Sequence, residues 1–132
     1  MIGIIKADAR YNYLHKLIDN SILSNDVLDF YNVDVLILPF KGIDEDGYIY
    51  GTKIKLAEIL KNNCIKRIIV GNANNILKEL CDKDIEIIEL LKKDDFIKDN
   101  AFLTAKGCIN YISNGASDIS EFKILILGFG YI

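Results

Sequence analysis

The stretch Asn32-Val33-Asp34-Val35-Leu36-Ile37-Leu38-Pro39-Phe40-Lys41-Gly42-Ile43-Asp44-Glu45-Asp46-Gly47 decides how the rest of the chain is read. Val33 and Val35 to Leu38 form a near-continuous apolar run rich in β-branched residues, the pattern of a strand buried on both faces of a parallel sheet. Pro39 has no N–H to donate to a ladder, and the charged, glycine-flanked segment after it is turn chemistry. The spacing therefore predicts a central strand that opens at its carboxyl end onto a flexible, charged loop. In open α/β sheets that edge is where ligands bind.

Working outward, the 132 residues suit one domain with a single core. Lys and Arg total 16 against 19 Asp and Glu, for a net charge of -3. That balance lacks the basic excess of a nucleic-acid or anionic-membrane binder. No apolar run reaches the roughly 18 residues of a membrane span, and the first residues lack a signal-peptide pattern, so a cytoplasmic chain is expected. Cys64, Cys81 and Cys108 form no C-x-x-C pair. They read as buried or half-buried free thiols, with neither a disulfide framework nor a zinc site.

Ile2 to Ile5 reads as a first strand, followed by an amphipathic helix on Tyr11, Leu14, Leu17 and Ile18, with Asp8 as its N-cap. Ser21 to Ser24 suits a stunted strand, and Val27 to Phe30 a short helical turn capped by Ser24 or Asn25. Beyond the acidic loop come an extended Tyr48-Ile49-Tyr50, a helix on Ile54 to Leu60, a strand at Lys66 to Val70, a helix on Ile76 to Leu80, and a strand at Ile85 to Leu90. The acidic residues alternating through that last strand place it near an edge. The alternation predicts an α/β, flavodoxin-like or Rossmann-like three-layer sandwich: a parallel sheet of four to five strands with helices on both faces and right-handed crossovers.

A final helix is expected over Phe102 to Ile112, closing a first domain at about residue 115. The segment Phe122-Lys123-Ile124-Leu125-Ile126-Leu127-Gly128-Phe129-Gly130 reads as a buried strand running into G-x-G, the opening of a dinucleotide-binding βαβ unit. Residues 116–132 are thus expected to be the first strand of a further, nucleotide-binding domain. Gly128 and Gly130 are its cofactor-binding candidates.

Several motifs together carry a resemblance. These are Ala7-Asp8-Ala9-Arg10, Leu36-Ile37-Leu38-Pro39 with Gly42 and an acidic-glycine loop, Asp94-Asp95, and Asn100 through Thr104 to Gly107 followed by Leu127-Gly128-Phe129-Gly130. In that order the chain resembles the NADP-linked component of the dipicolinate synthase family, over its N-terminal domain and the first strand of its Rossmann domain. The chain departs from that pattern at Lys6-Ala7, where two glycines are usual, and between Asn20 and Val33, where most of a strand–helix unit is missing. The resemblance implies an NADP-linked oxidation of dihydrodipicolinate to dipicolinate in the mother cell of a sporulating bacterium, together with a flavoprotein-like second subunit. Homo-oligomers are also compatible. The fragment alone is not expected to bind NADP.

The implied substrate carries two carboxylates on a small ring. An Arg fork can hold a carboxylate bidentately and a Lys acts as a point charge, so Arg10 and Lys41 become candidate clamps, flanked by Asp8 and Gly42. A salt bridge from Arg10 to Asp8 and a solvated Lys41 are the alternatives. Asn72 and Asn74 are candidates for ligand hydrogen bonds or for capping the next helix. Asp94 and Asp95 are candidates for a paired acid/base site or for a solvated helix start. Thr104 is a candidate at the cleft border, whereas His15, the lone histidine, reads as a surface residue. Two rivals stand beside the enzyme reading: a flavodoxin-like binding or subunit-interaction domain without catalysis, and the substrate domain of a 2-hydroxyacid-type dehydrogenase.

Overall fold

The structure, a computed structural model, describes residues 1–61, 64–81, 83–114 and 123. Its chain divides into two compact units, Met1–Leu90 and Leu91–Ile132. In the first unit the elements run β1 (Ile2–Ile5), α1 (Ala9–Leu17), β2 (Ser21–Ser24), a 3-10 turn (Val27–Phe30), β3 (Val35–Ile37), α2 (Leu56–Leu60), β4 (Arg67–Val70), α3 (Asn75–Leu80) and β5 (Glu86–Glu89). The five strands form a parallel sheet in the order β2-β1-β3-β4-β5. This is the flavodoxin-like order, and its direction of winding reverses between β1 and β3.

Register decides which side chains share a face. Gly3, Leu36, Ile68 and Ile87 are aligned across four strands and point one way, while Ile4, Ile37, Ile69 and Ile88 point the other. Leu36, Ile68 and, further along β4, Val70 are buried in a cluster with Phe30, Leu56, Ile59 and Leu77. The 3-10 turn, α2 and α3 therefore cover that first face. Right-handed winding places α1 on the opposite face, which it serves through its buried Tyr11.

The segment between α1 and β3 holds together by local chemistry. Asp8 caps α1 as expected, but the 3-10 turn is capped by Asp26, whose carboxylate accepts from the Leu28 amide, rather than by Ser24 or Asn25. Val33, expected in the central strand, instead closes the turn by donating to the Phe30 carbonyl. Pairing of β3 starts one step later, where the Asp34 and Val35 amides both reach the Met1 carbonyl. At the other end Leu38 still donates to Ile69, and Pro39 then stops the ladder.

The loop after Pro39 differs from its expected flexibility. One Asp44 carboxylate oxygen accepts from the Asp46 and Tyr48 amides, at 3.0 and 2.8 Å. Ile43, Ile49 and Ile54 are buried beneath it and peg it to the core, and Ile43–Ile49 and Tyr48–Lys55 form antiparallel bridges. Each buried isoleucine contributes about 1.5–3 kcal/mol, enough to order a charged segment.

In the second unit α4 (Asp94–Ser113) starts well before Phe102. Asp94 and Asp95 lie in its first turn, where carboxylates complement the helix dipole and extend the helix upstream. The expected strand over 122–132, and with it Gly128 and Gly130, lies outside the described residues apart from Lys123. Two of the three thiols differ from expectation, while Cys81 agrees with it. Cys64 and Cys108 are exposed and Cys81 is half-buried, because Cys64 lies in the loop before β4 and α4 has no buried residue. Among the described residues no helix is long and apolar enough to cross a membrane.

Candidate functional site

At the reversal between β1 and β3 the carboxyl ends of the two strands separate, and a cavity of about 200 Å³ lies there. Three segments wall it: Ala7, Asp8, Arg10 and Tyr11 after β1; Pro39, Phe40 and Lys41 after β3; and Tyr50 with Gly51 from the long loop. The first two follow from the sheet order, since a switch point parts neighbouring connections to opposite faces. The third comes from the pegged loop folding back towards Ala7.

The walls are tied together by backbone. The Phe40 amide donates to the Tyr11 hydroxyl at 2.8 Å, so the first turn of α1 grips the end of β3. Burial raises the Tyr11 pKa, with the Phe40 amide opposing it as an acceptor-favouring partner. From below, Gly71 is packed so closely that a Cβ there would lie 2.3 Å from the Phe40 carbonyl oxygen. Gly42 adopts a φ of 71°, and a Cβ on it would meet Val70 at 3.0 Å. Both glycines are required by this close approach of the β3 and β4 ends.

Electrostatically the site is a compensated cluster with one cation in excess. Arg10 Nε donates to Asp8 Oδ1 at 3.0 Å and Nη2 to Oδ2 at 2.7 Å, a bidentate pair. Asp8 Oδ1 also accepts from the Arg10 amide at 2.9 Å as the N-cap of α1. The Arg10 guanidinium holds the Asp8 carboxyl below its usual range, and Asp8 in turn raises the Arg10 pKa. Lys41 extends over the Tyr50 ring, with Nζ 5.7 Å from the ring centre. This cation–π contact sets the ammonium at the mouth of the cavity. Asp8, Arg10 and Lys41 sum to a single positive charge on largely apolar walls, an arrangement that suits a small anion with an apolar body.

The remaining candidates fall into two groups. Asn72 is exposed in the β4–α3 connection. Asn74 caps α3, its Oδ1 accepting from Leu77 at 2.9 Å, while its Nδ2 donates to the Ile43 carbonyl at 2.9 Å. Its polar groups are thus engaged in holding the loop that carries Gly42. Asp94, Asp95 and Thr104 belong to α4 in the second unit, where the Thr104 hydroxyl donates to the Asn100 carbonyl at 2.8 Å. The structure therefore brings Asp8, Arg10 and Lys41 together at one cavity, with Gly42 and Asn74 as supports.

Tyr11 was legible only as a helix residue facing the core, although a buried tyrosine hydroxyl needs a partner. Glu89, read as one of the acidic residues of an edge strand, is mostly buried. It accepts from the Ala73 amide at 3.1 Å and lies 4.0 Å from the Lys78 ammonium. It thereby fixes the start of the β4–α3 connection. His15 is half-buried rather than at the surface, its Nδ1 2.8 Å from the Ser21 hydroxyl.

A dinucleotide does not suit this unit. The N-terminus of α1, where a pyrophosphate sits in a dinucleotide-binding βαβ unit, is filled by the Asp8 carboxylate, and the turn before it lacks glycine. Among the described residues no group of His, Cys, Asp and Glu side chains could hold a metal ion. No protein-family model matches this chain, and neither the curated proteins nor the solved structures give a match.

Proposed function

We propose that this chain is the substrate-side part of an NADP-linked oxidoreductase of the dipicolinate synthase kind, and that the cavity at the β1/β3 switch point receives one carboxylate of a small-ring substrate such as dihydrodipicolinate. The observation that carries this reading is the cavity itself, with Lys41 held at its mouth beside the Asp8–Arg10 pair. Lys41 supplies the charge in excess, and Pro39, Phe40 and Tyr50 supply apolar surface for a ring. The nicotinamide cofactor belongs to the segment that begins near Gly128 and Gly130. This chain's contribution is to bind and orient the substrate. Assembly with a flavoprotein-like second subunit, in the cytoplasm of a sporulating cell, is part of the same proposal.

Two measurements test it. Titration with pyridine-2,6-dicarboxylate, followed by amide shifts in a 15N-labelled sample, should move Ala7, Lys41 and Gly51. Lys41→Ala should weaken that binding about tenfold, the worth of one charge-assisted contact. The longer reading frame, mixed with its second subunit, NADP and dihydrodipicolinate, should then form NADPH. Absence of shifts in the cavity together with absence of turnover defeats the proposal. Shifts without turnover leave a binding domain, which the exposed aromatics Phe40, Tyr48 and Tyr50 around the same edge also suit.

A further inference from the structure

A phenol hydroxyl has one proton to donate and lone pairs with which to accept. Tyr11 is only 8 % exposed, and its oxygen accepts from the Phe40 amide at 2.8 Å. Among the described residues no acceptor takes its proton. A buried donor left unmade is costly, and a buried tyrosine hydroxyl ordinarily finds a partner. Tyr11 lines the cavity together with Phe40 and Lys41, so a group entering there can supply the missing acceptor. The side chain is also held at both ends. Its backbone amide donates to the Asp8 carbonyl at 3.2 Å in the first turn of α1. Phe40, which donates to its hydroxyl, is packed against Gly71 with no room for a Cβ between them.

We propose that Tyr11 is a ligand-binding residue of this cavity: its hydroxyl, fixed by the Phe40 amide, donates its proton to the carboxylate that Lys41 attracts, and so sets how the ring lies. This rests on the carboxylate-site reading above and adds to it the contact that gives direction. An ammonium on a flexible stem is a point charge that draws an anion in without orienting it. A phenol held in place orients it, and the amide donating into its oxygen polarises the O–H and strengthens what it donates onward. The second carboxylate of a dicarboxylate is not excluded by this contact. The Arg10 side chain is largely exposed, and Asp8 engages only its Nε and Nη2.

Two changes at position 11 test this, with pyridine-2,6-dicarboxylate as the probe and titration calorimetry on the same chain at about pH 6, where the probe is ionised. Burial raises the Tyr11 pKa, which keeps the proton on the phenol at that pH. Tyr11→Phe removes the donor and keeps the ring, and should weaken binding about tenfold, the worth of one hydrogen bond to a charged group. That variant also takes the acceptor from the Phe40 amide, so a loss by itself does not distinguish donation from loop support. Site-specific replacement of Tyr11 by 3-fluorotyrosine, and then by 3,5-difluorotyrosine, keeps the hydroxyl and makes its proton progressively more acidic. A donor to a carboxylate strengthens along that series, so the probe should bind tighter by a few fold, in the order of acidity. A residue that only supports the loop gives no such rise.

Native affinity in Tyr11→Phe overturns the proposal, as does a fluorinated series whose affinity stays level or falls. In either case the carboxylate-site reading still stands, because the probe binds the native chain. If Tyr11→Phe does not fold, the fluorinated series decides by itself. If the probe binds neither the native chain nor the fluorinated chains, the carboxylate-site reading falls and the role of Tyr11 falls with it.

Discussion

Single atoms set the limits of this site. Gly71 shows this most directly, because a Cβ would overlap the Phe40 carbonyl and ring. Gly71→Ala should cost about 1–3 kcal/mol in urea unfolding, the range for overpacking, and should also weaken ligand binding by displacing Phe40. Acid stability is set by single residues as well. Asp34 accepts from the N-terminal ammonium of Met1, and this bond holds its carboxyl below the usual value of 3.8. Asp8 is shifted the same way by Arg10. A carboxyl with a depressed folded-state pKa contributes stability above its unfolded value and loses it as pH falls through the folded one. Asp34→Asn should therefore make the loss of stability below about pH 4 shallower, as read from melting midpoints across that range. Val35 was legible as a strand residue from the β-branched run. The partner of Asp34 was not, because Met1 lies beside it at the start of the neighbouring parallel strand, 33 positions away in sequence.

At the scale of elements, short pieces stand on tertiary support. α3 has six residues and α2 five, well under the length at which a helix is stable alone. Asn74 gives α3 both its cap and its tie to Ile43. Asn74→Ala should destabilise the chain by about 1–2 kcal/mol and loosen the Gly42 loop, seen as faster amide exchange at Gly42 and Tyr50. The compact crossover between β2 and β3 depends on Phe30, which is almost fully buried where a full helix would ordinarily lie. Phe30→Ala should cost about 3–5 kcal/mol in the same unfolding experiment. The sequence showed that a capped turn occupied this region. It misplaced the cap by one or two positions, because Ser24, Asn25 and Asp26 are all competent caps and packing of Phe30 chooses among them.

For the whole first unit, sheet order assigns the roles. β1, β3 and β4 are flanked on both sides by hydrogen-bonded neighbours, whereas β2 and β5 are edges. Amides at Ile4, Leu36 and Ile68 should therefore exchange slowest with deuterium, near the global unfolding limit, and those of β2 and β5 measurably faster. The same order creates the cavity. Consecutive connections depart to opposite faces at the β1/β3 boundary, so the loops carrying Arg10 and Lys41 part at that boundary while Tyr11 and Phe40 keep them joined.

The parallel α/β class, the buried central run and the edge character of β5 were determined by the sequence alone, since β-branched runs, alternating polarity and turn residues act within a few positions of one another. The candidacy of Asp8, Arg10 and Lys41 was also legible, as charged residues just past strand ends. What the structure decided was which of the alternatives holds and how the loops are fastened. Asp8 and Arg10 close on each other, Asn74 turns inward to Ile43, and the acidic loop is pegged by three isoleucines rather than left flexible. The Asp8–Arg10 pair is local and was one of two readings the spacing allowed, whereas the tie from Asn74 to Ile43 joins segments 31 positions apart, which the strand order brings together and no local spacing of residue types encodes.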